Sequence, residues 1–162
     1  MNEAIRIATR APRRLLMSLA LLVSGAALAH AHLEASTPAA NATITQPLTT
    51  VTPTFSEPIE TLFSVVKAYR LDADVDMSAA NAWQRLNGLA GALVNDVLTA
   101  DDQGAEARVD TGVPGAGATT AEVVLTLKDG LAPGAYVVMW SVLSIDTHTT
   151  QGFLVFRYAP AE

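Results

Sequence analysis

The 162-residue chain carries 10 Lys and Arg against 16 Asp and Glu, is 50% hydrophobic and 16% charged, and contains no Cys. That apolar content argues against disorder, and the missing Cys excludes disulfides, iron–sulfur clusters, thiol catalysis and Cys-ligated zinc, so a transition-metal site must draw on His, carboxylate, Met or backbone nitrogen. A formal charge of −6, with no visible basic patch, argues against a nucleic-acid partner.

Arg6, Arg10, Arg13 and Arg14 precede an apolar run over residues 15–29 that ends in the small-x-small pattern Ala27-Leu28-Ala29. This predicts a cleaved signal peptide over residues 1–29 and export to the periplasm. The run is short for a membrane span, which needs about 20 apolar residues. Arg13-Arg14 is reminiscent of twin-arginine export, but the residues after the pair match that signal poorly. Cleavage after Ala29 leaves residues 30–162 as a single domain beginning at His30, with 6 basic and 15 acidic residues. Ala29-His30-Ala31 offers a second cleavage position, which would make His32 the first residue.

Along the mature chain, residues 49–55, 62–71, 120–128, 135–145 and 152–159 read as strands, being rich in β-branched and aromatic residues or alternating in polarity between turn signals. Gly130-Leu131-Ala132-Pro133-Gly134 reads as a turn between two of them. Short strands with turns between them predict an all-β fold, an antiparallel two-sheet sandwich. An insertion over about residues 76–118 interrupts it. Within residues 79–100, Trp83, Leu86, Leu89/Ala90, Leu93 and Val97 recur at helical spacing. Gly88 and Gly91 each weaken a helix by about 1 kcal/mol, so a short or kinked helix is expected against the sandwich. Its apolar stripe reads either as a face buried on its own domain or as a docking face. Residues 101–120, rich in Gly and Pro, read as a loop.

Export would create an unusual chelator. A first-position His30 carries a free amine beside its imidazole, and an amine with an ordinary pKa of about 7.7–8.0 is readily deprotonated by a metal near neutral pH. Asp146-Thr147-His148 follows the strand expected over residues 135–145. In extended geometry Asp146 and His148 point to one face, roughly 6.7 Å apart along the strand. One amine, two imidazoles and a carboxylate form an N3O set that suits Cu(II), with zinc as the alternative metal. The competing reading of Asp-Thr-His is an exposed turn in which Asp caps backbone amides.

His32 has two readings. As a third-position His it would complete an amine–amide–imidazole Cu(II) chelate, but that needs the amides of Ala31 and His32, which a strand would occupy. Otherwise it is auxiliary to the first site. Glu57, in Phe55-Ser56-Glu57-Pro58, reads either as a partner of the amino terminus or as a solvated carboxylate. Tyr136 and Trp140 fall on one face of a strand and are expected in the core. Met77 and Met139 are the Met residues left after processing, too few for a Cu(I) thioether cluster. No catalytic residues are expected: no Ser has a nucleophile-elbow pattern and no carboxylates pair for hydrolysis.

HAHLEASTPAANATI (30–44), TVTPTFSEPIETLFSVVKAY (50–69) and LAPGAYVVMWSVLSIDTHTTQGFLVF (131–156) resemble the CopC family of periplasmic copper-binding proteins. The resemblance implies a Greek-key β-sandwich, Ig-like and of CopC type, with one Cu(II) per chain held by the family's N-terminal His, Asp and His, which fall here on His30, Asp146 and His148. The family Glu falls on Glu57. It also implies copper resistance or delivery beside an inner-membrane CopD-type partner, with the chain itself a monomer. Two departures stand out: the Met-rich loop of some members is reduced here to Met77 ahead of the helical insertion, and Ser141 replaces the Arg that many members carry after the Trp. The expected function is a Cu(II) carrier or buffer, not an enzyme. Its alternatives are an oxidative copper enzyme built on a histidine brace, and a metal-free β-sandwich interaction module.

Overall fold

The computed structural model describes residues 30–99, 105–115 and 117–161. The signal peptide expected over residues 1–29 lies outside them, as do residues 100–104 and 116 of the expected loop. One sheet contains β1 (Leu33–Thr37), β3 (Thr50–Glu60), β7 (Leu125–Leu127) and β5 (Asp110–Gly112) in that order, with β6 (Thr119–Glu122) also paired to β3. The other runs β2 (Thr43–Ile44), β9 (Thr149–Tyr158), β8 (Gly134–Leu143) and β4 (Val65–Arg70). The result is the expected β-sandwich, antiparallel except where the two-residue β2 runs parallel to β9.

Two expected strands and one expected loop are redrawn. Residues 120–128 form two strands, although Thr54↔Glu122 and Val51↔Leu125 keep one common register against β3. The break falls opposite Pro53, which has no N–H to give the ladder, so only its carbonyl holds Val123 N–H at 3.0 Å. Residues 62–71 begin with a 3-10 turn, Thr61–Phe63, before β4 starts at Val65. The expected loop over residues 101–120 contains a second 3-10 turn, Ala105–Ala107, and β5. There the buried Asp110 carboxylate accepts from Arg108 and from the N–H groups of Ala68 (2.8 Å) and Gly112 (3.0 Å). A three-residue strand held by one carboxylate leaves no periodicity to read.

The run Ala-Tyr-Val-Val-Met-Trp in β8 lacks polar alternation because the strand is buried on both faces. Tyr136, Val138, Trp140 and Val142 face the opposing sheet in one apolar cluster, while Ala135, Val137 and Met139 face α1 (Ala82–Val97) in a second. Tyr136 and Trp140 are thus core residues, as expected. Trp140 meets Phe55 edge-on at 5.8 Å, and its ring lies so close over its cross-strand partner Gly152 that a Cβ there would stand 2.6 Å from it. Glycine is required at this position by that approach.

α1 is laid on the outer face of β8 and β9 and buries Ala82, Leu86, Ala90 and Val94, a strict four-residue spacing. Leu98 continues the stripe. The stripe therefore packs on its own domain rather than forming a docking face, and burying a side chain such as Leu86 contributes about 2 kcal/mol. Gly91 fits where the helix meets Phe153, 3.7 Å from a Cβ built at that position. Lys67, buried on the same face, donates from Nζ to the Val97 carbonyl at 3.1 Å and so satisfies an end carbonyl of the helix. No helix among the described residues is long and apolar enough to cross a membrane.

Candidate metal centre

The site lies at the end of the sandwich where β8 turns into β9, beside His30. Ala31 is fully buried in the inter-sheet cluster, and its carbonyl accepts from Thr150 Oγ1 at 2.6 Å. These two contacts tie the amino-terminal segment to β9 and deliver the His30 ring to His148, with centroids 4.5 Å apart and planes tilted by 48°. Residues remote in sequence are thereby brought into ring contact.

Asp146 and His148 do not lie on an extended strand. β8 ends at Leu143 and the chain turns: Thr147 N–H donates to Ser144 O at 2.9 Å, and Thr147 itself takes φ 71°, the left-handed region. A β-branched residue rarely adopts that conformation. The turn folds Asp146 against His148, so that Oδ2 lies 2.9 Å from His148 Nδ1 and Oδ1 accepts the His148 backbone N–H at 3.0 Å. The expected separation along a strand is replaced by direct contact, and the turn reading of Asp-Thr-His holds together with the proximity to His30. With the proton on Nδ1, His148 keeps its Nε2 lone pair for a ligand.

Ser144, which is buried, completes the turn by donating from Oγ to Asp146 Oδ1, while its own N–H donates to His148 O at 2.9 Å. The Ser144 hydroxyl is the main cause that holds the Asp146 carboxyl below the ordinary carboxylate range; burial, next in size, opposes it, and the N–H and ring of His148 reinforce the lowering. Asp146 is thus an anion that orients an imidazole.

His32 stands just before β1, its Nδ1 3.4 Å from the His30 carbonyl oxygen, and is held chiefly by Ser56. Its backbone N–H donates to Ser56 Oγ at 3.1 Å, its Nδ1 lies 2.9 Å from the same oxygen, and its carbonyl accepts Ser56 N–H at 2.9 Å. The amide that a third-position chelate would need is therefore committed to Ser56. Glu57 is half-buried between Ser56 and Pro58 and is not brought into hydrogen-bond contact with His30 or His148. Met77 and Met139 both belong to the cluster under α1.

Among the described residues, no three His, Asp or Glu side chains form a metal-binding group by themselves. The two imidazoles and one carboxylate would need a further donor to hold a metal ion. Ser144, Thr150 and Ser56 escape sequence reasoning. Ser144 stands two residues before Asp146, a spacing at which a hydroxyl can close a local turn, but nothing local marks Thr150 or Ser56, whose partners are far away in the chain.

The CopC domain family matches residues 87–159. Protein YobA of Escherichia coli K12 is 30% identical over 135 residues, covering 83% of this chain and 83% of its own length, and the Shigella flexneri protein of that name matches equally. CopC from Methylosinus trichosporium OB3b superposes with a TM-score of 0.51 at 20% identity, over 82% of this chain and 97% of that one. PcoC, a methionine-rich copper resistance protein from Escherichia coli, gives 0.53 at 23% identity, over 81% and 100%. The chain belongs to the CopC family.

Proposed function

We propose that this protein is a periplasmic Cu(II) carrier or buffer in copper resistance and homeostasis, taking one Cu(II) through His30, Asp146 and His148 of the processed domain, residues 30–162. The observation that carries this reading is the contact between the His30 and His148 rings, with His148 already oriented by Asp146. An exposed pair of imidazoles held together across the fold has no packing purpose, whereas imidazole and amine nitrogens with a carboxylate oxygen match the preference of Cu(II). The complete burial of Ala31 supports processing after Ala29, because processing after Ala31 would remove a core residue and His30 with it.

Of the two roles open to Asp146, its three hydrogen bonds favour orientation of His148 in the free protein, with direct ligation requiring Oδ2 to leave Nδ1. His32, held by Ser56, is auxiliary, and Glu57, between Ser56 on His32 and Pro58 on Ile145, shapes the rim of the site. A CopD-type membrane protein is the proposed recipient, and a monomer the proposed working form.

Titration of the processed protein with Cu(II), followed by EPR, tests the reading. One equivalent should bind with a nitrogen-rich tetragonal signal. His148→Ala should weaken binding at least about 100-fold and Asp146→Ala about 10- to 100-fold, as for loss of a ligand and of the group that orients one. Unchanged affinity in both variants contradicts the assignment.

A further inference from the structure

The site end of the sandwich carries an apolar patch that the fold does not use. Leu62 is 64% exposed, Phe63 68% and Ile145 54%, with Val65 beside them. These four are most of the large exposed apolar side chains among the described residues, the others being Leu89 and Val124 elsewhere. Scattered exposed apolar residues need no explanation, but a cluster of the largest ones does.

The patch is built on a rigid support. Thr61, just before Leu62, is buried, donates from Oγ1 to Ala118 O at 2.8 Å and accepts Gly117 N–H at 2.9 Å. Ser64, just after Phe63, donates to Glu60 O and accepts Leu143 N–H at 3.0 Å. Leu62 and Phe63 are therefore held outward between two anchored residues. Ile145 is fixed to the same end, its N–H donating to Pro58 O at 3.2 Å, and it directly precedes Asp146.

Charge identifies what fits there. Around the patch stand Glu57, Glu60 and Asp146. The described Lys and Arg side chains lie elsewhere: Arg70 and Arg157 line a cavity at the far end, Lys128 and Arg108 sit beside β5, Arg85 is on α1, and Lys67 is buried beneath that helix, so the amine that processing would give His30 is outnumbered by the three carboxylates at this end. An acidic rim disfavours anionic lipid and disfavours a second copy of the same end, and it complements a basic surface.

We propose that Leu62, Phe63 and Ile145 form the docking surface for a protein partner with an apolar socket in a basic rim, which would be brought up against His148. The proposal extends the copper reading by naming how the recipient engages the same end. Docking itself needs no copper, so it is tested in metal-free protein carrying His148→Ala, and its failure is separate from failure of the metal assignment.

The probe is a synthetic amphipathic helix with Leu on one face and Lys flanking it, added to isotope-labelled protein and followed by amide chemical shifts. Shifts should concentrate at residues 58–65 and 143–149, weaken as salt is raised, and lose affinity at least about tenfold in Leu62→Ser and Phe63→Ser, both exposed enough to fold normally. A Leu/Glu helix of the same pattern should not bind. Equal binding of the Leu/Glu helix, shifts centred on Leu89, unchanged affinity in both variants, binding to anionic vesicles, or self-association through this end in sedimentation would each overturn the proposal.

Discussion

The two ends of the sandwich have opposite characters. At the far end, Asp110 is sealed by Arg108 and two backbone N–H groups, Arg70 donates to Pro133 O, and Tyr136 donates to Ala132 O, so polar groups close on one another. At the site end, His148 and His32 are exposed, Thr147 sits in a left-handed conformation, and the apolar side chains of Leu62, Phe63 and Ile145 face outward. The first end stabilises the fold. The second is held by it, through Thr61, Ser64, Ser144 and Thr150, but leaves its chemistry open.

The contrast is tested most strongly by Asp110→Ala. Removing the buried carboxylate takes the acceptor from the Ala68 and Gly112 N–H groups and one partner from Arg108, and should destabilise by about 3 kcal/mol or more in denaturant unfolding. Copper affinity of the folded fraction should be unchanged; a matching loss would mean the two ends are coupled.

A smaller effect at the same end is confined to alkaline pH. Burial raises the Tyr136 hydroxyl above its ordinary pKa of 10.0. The folded state thus holds this proton more tightly than the unfolded chain, so the stability it contributes is complete below pH 10.0 and is lost as pH rises from there through the folded-state value. Unfolding followed by tyrosinate absorbance should show that loss, and Tyr136→Phe should lessen it.

Smallest is the expected effect of Thr147→Gly at the site end. Relief of a left-handed β-branched residue, about 1–2 kcal/mol, outweighs the extra chain entropy of glycine, about 0.5–1 kcal/mol, leaving a net gain of about 0.5 kcal/mol. A loss of stability would show that the Thr side chain makes up for its strain.

How much of this could be read from the residues differs between fold and site. The two-sided burial of β8 made its apolar run conspicuous, and the helix showed itself by spacing, because both signals come from packing against continuous surfaces. β5 did not, being three residues held by a long-range carboxylate, and the interruption opposite Pro53 required knowing which strand pairs with which. At the site, His30, Asp146 and His148 were legible as donor types. Their arrangement was not: Thr147 carries none of the Gly or Asn signals of a left-handed turn, and the Thr150 contact that delivers His30 depends on tertiary folding.

The proposed copper site turns on the amine that processing would give His30. Adding one Gly ahead of His30 moves that amine away while keeping every side chain, so competition titration with Cu(II) of the processed chain and of its extended form compares the two directly. The extended form should bind at least about 100-fold more weakly and give an EPR signal with less nitrogen coupling. Equal affinity and an identical spectrum would contradict a copper site built on the new terminus.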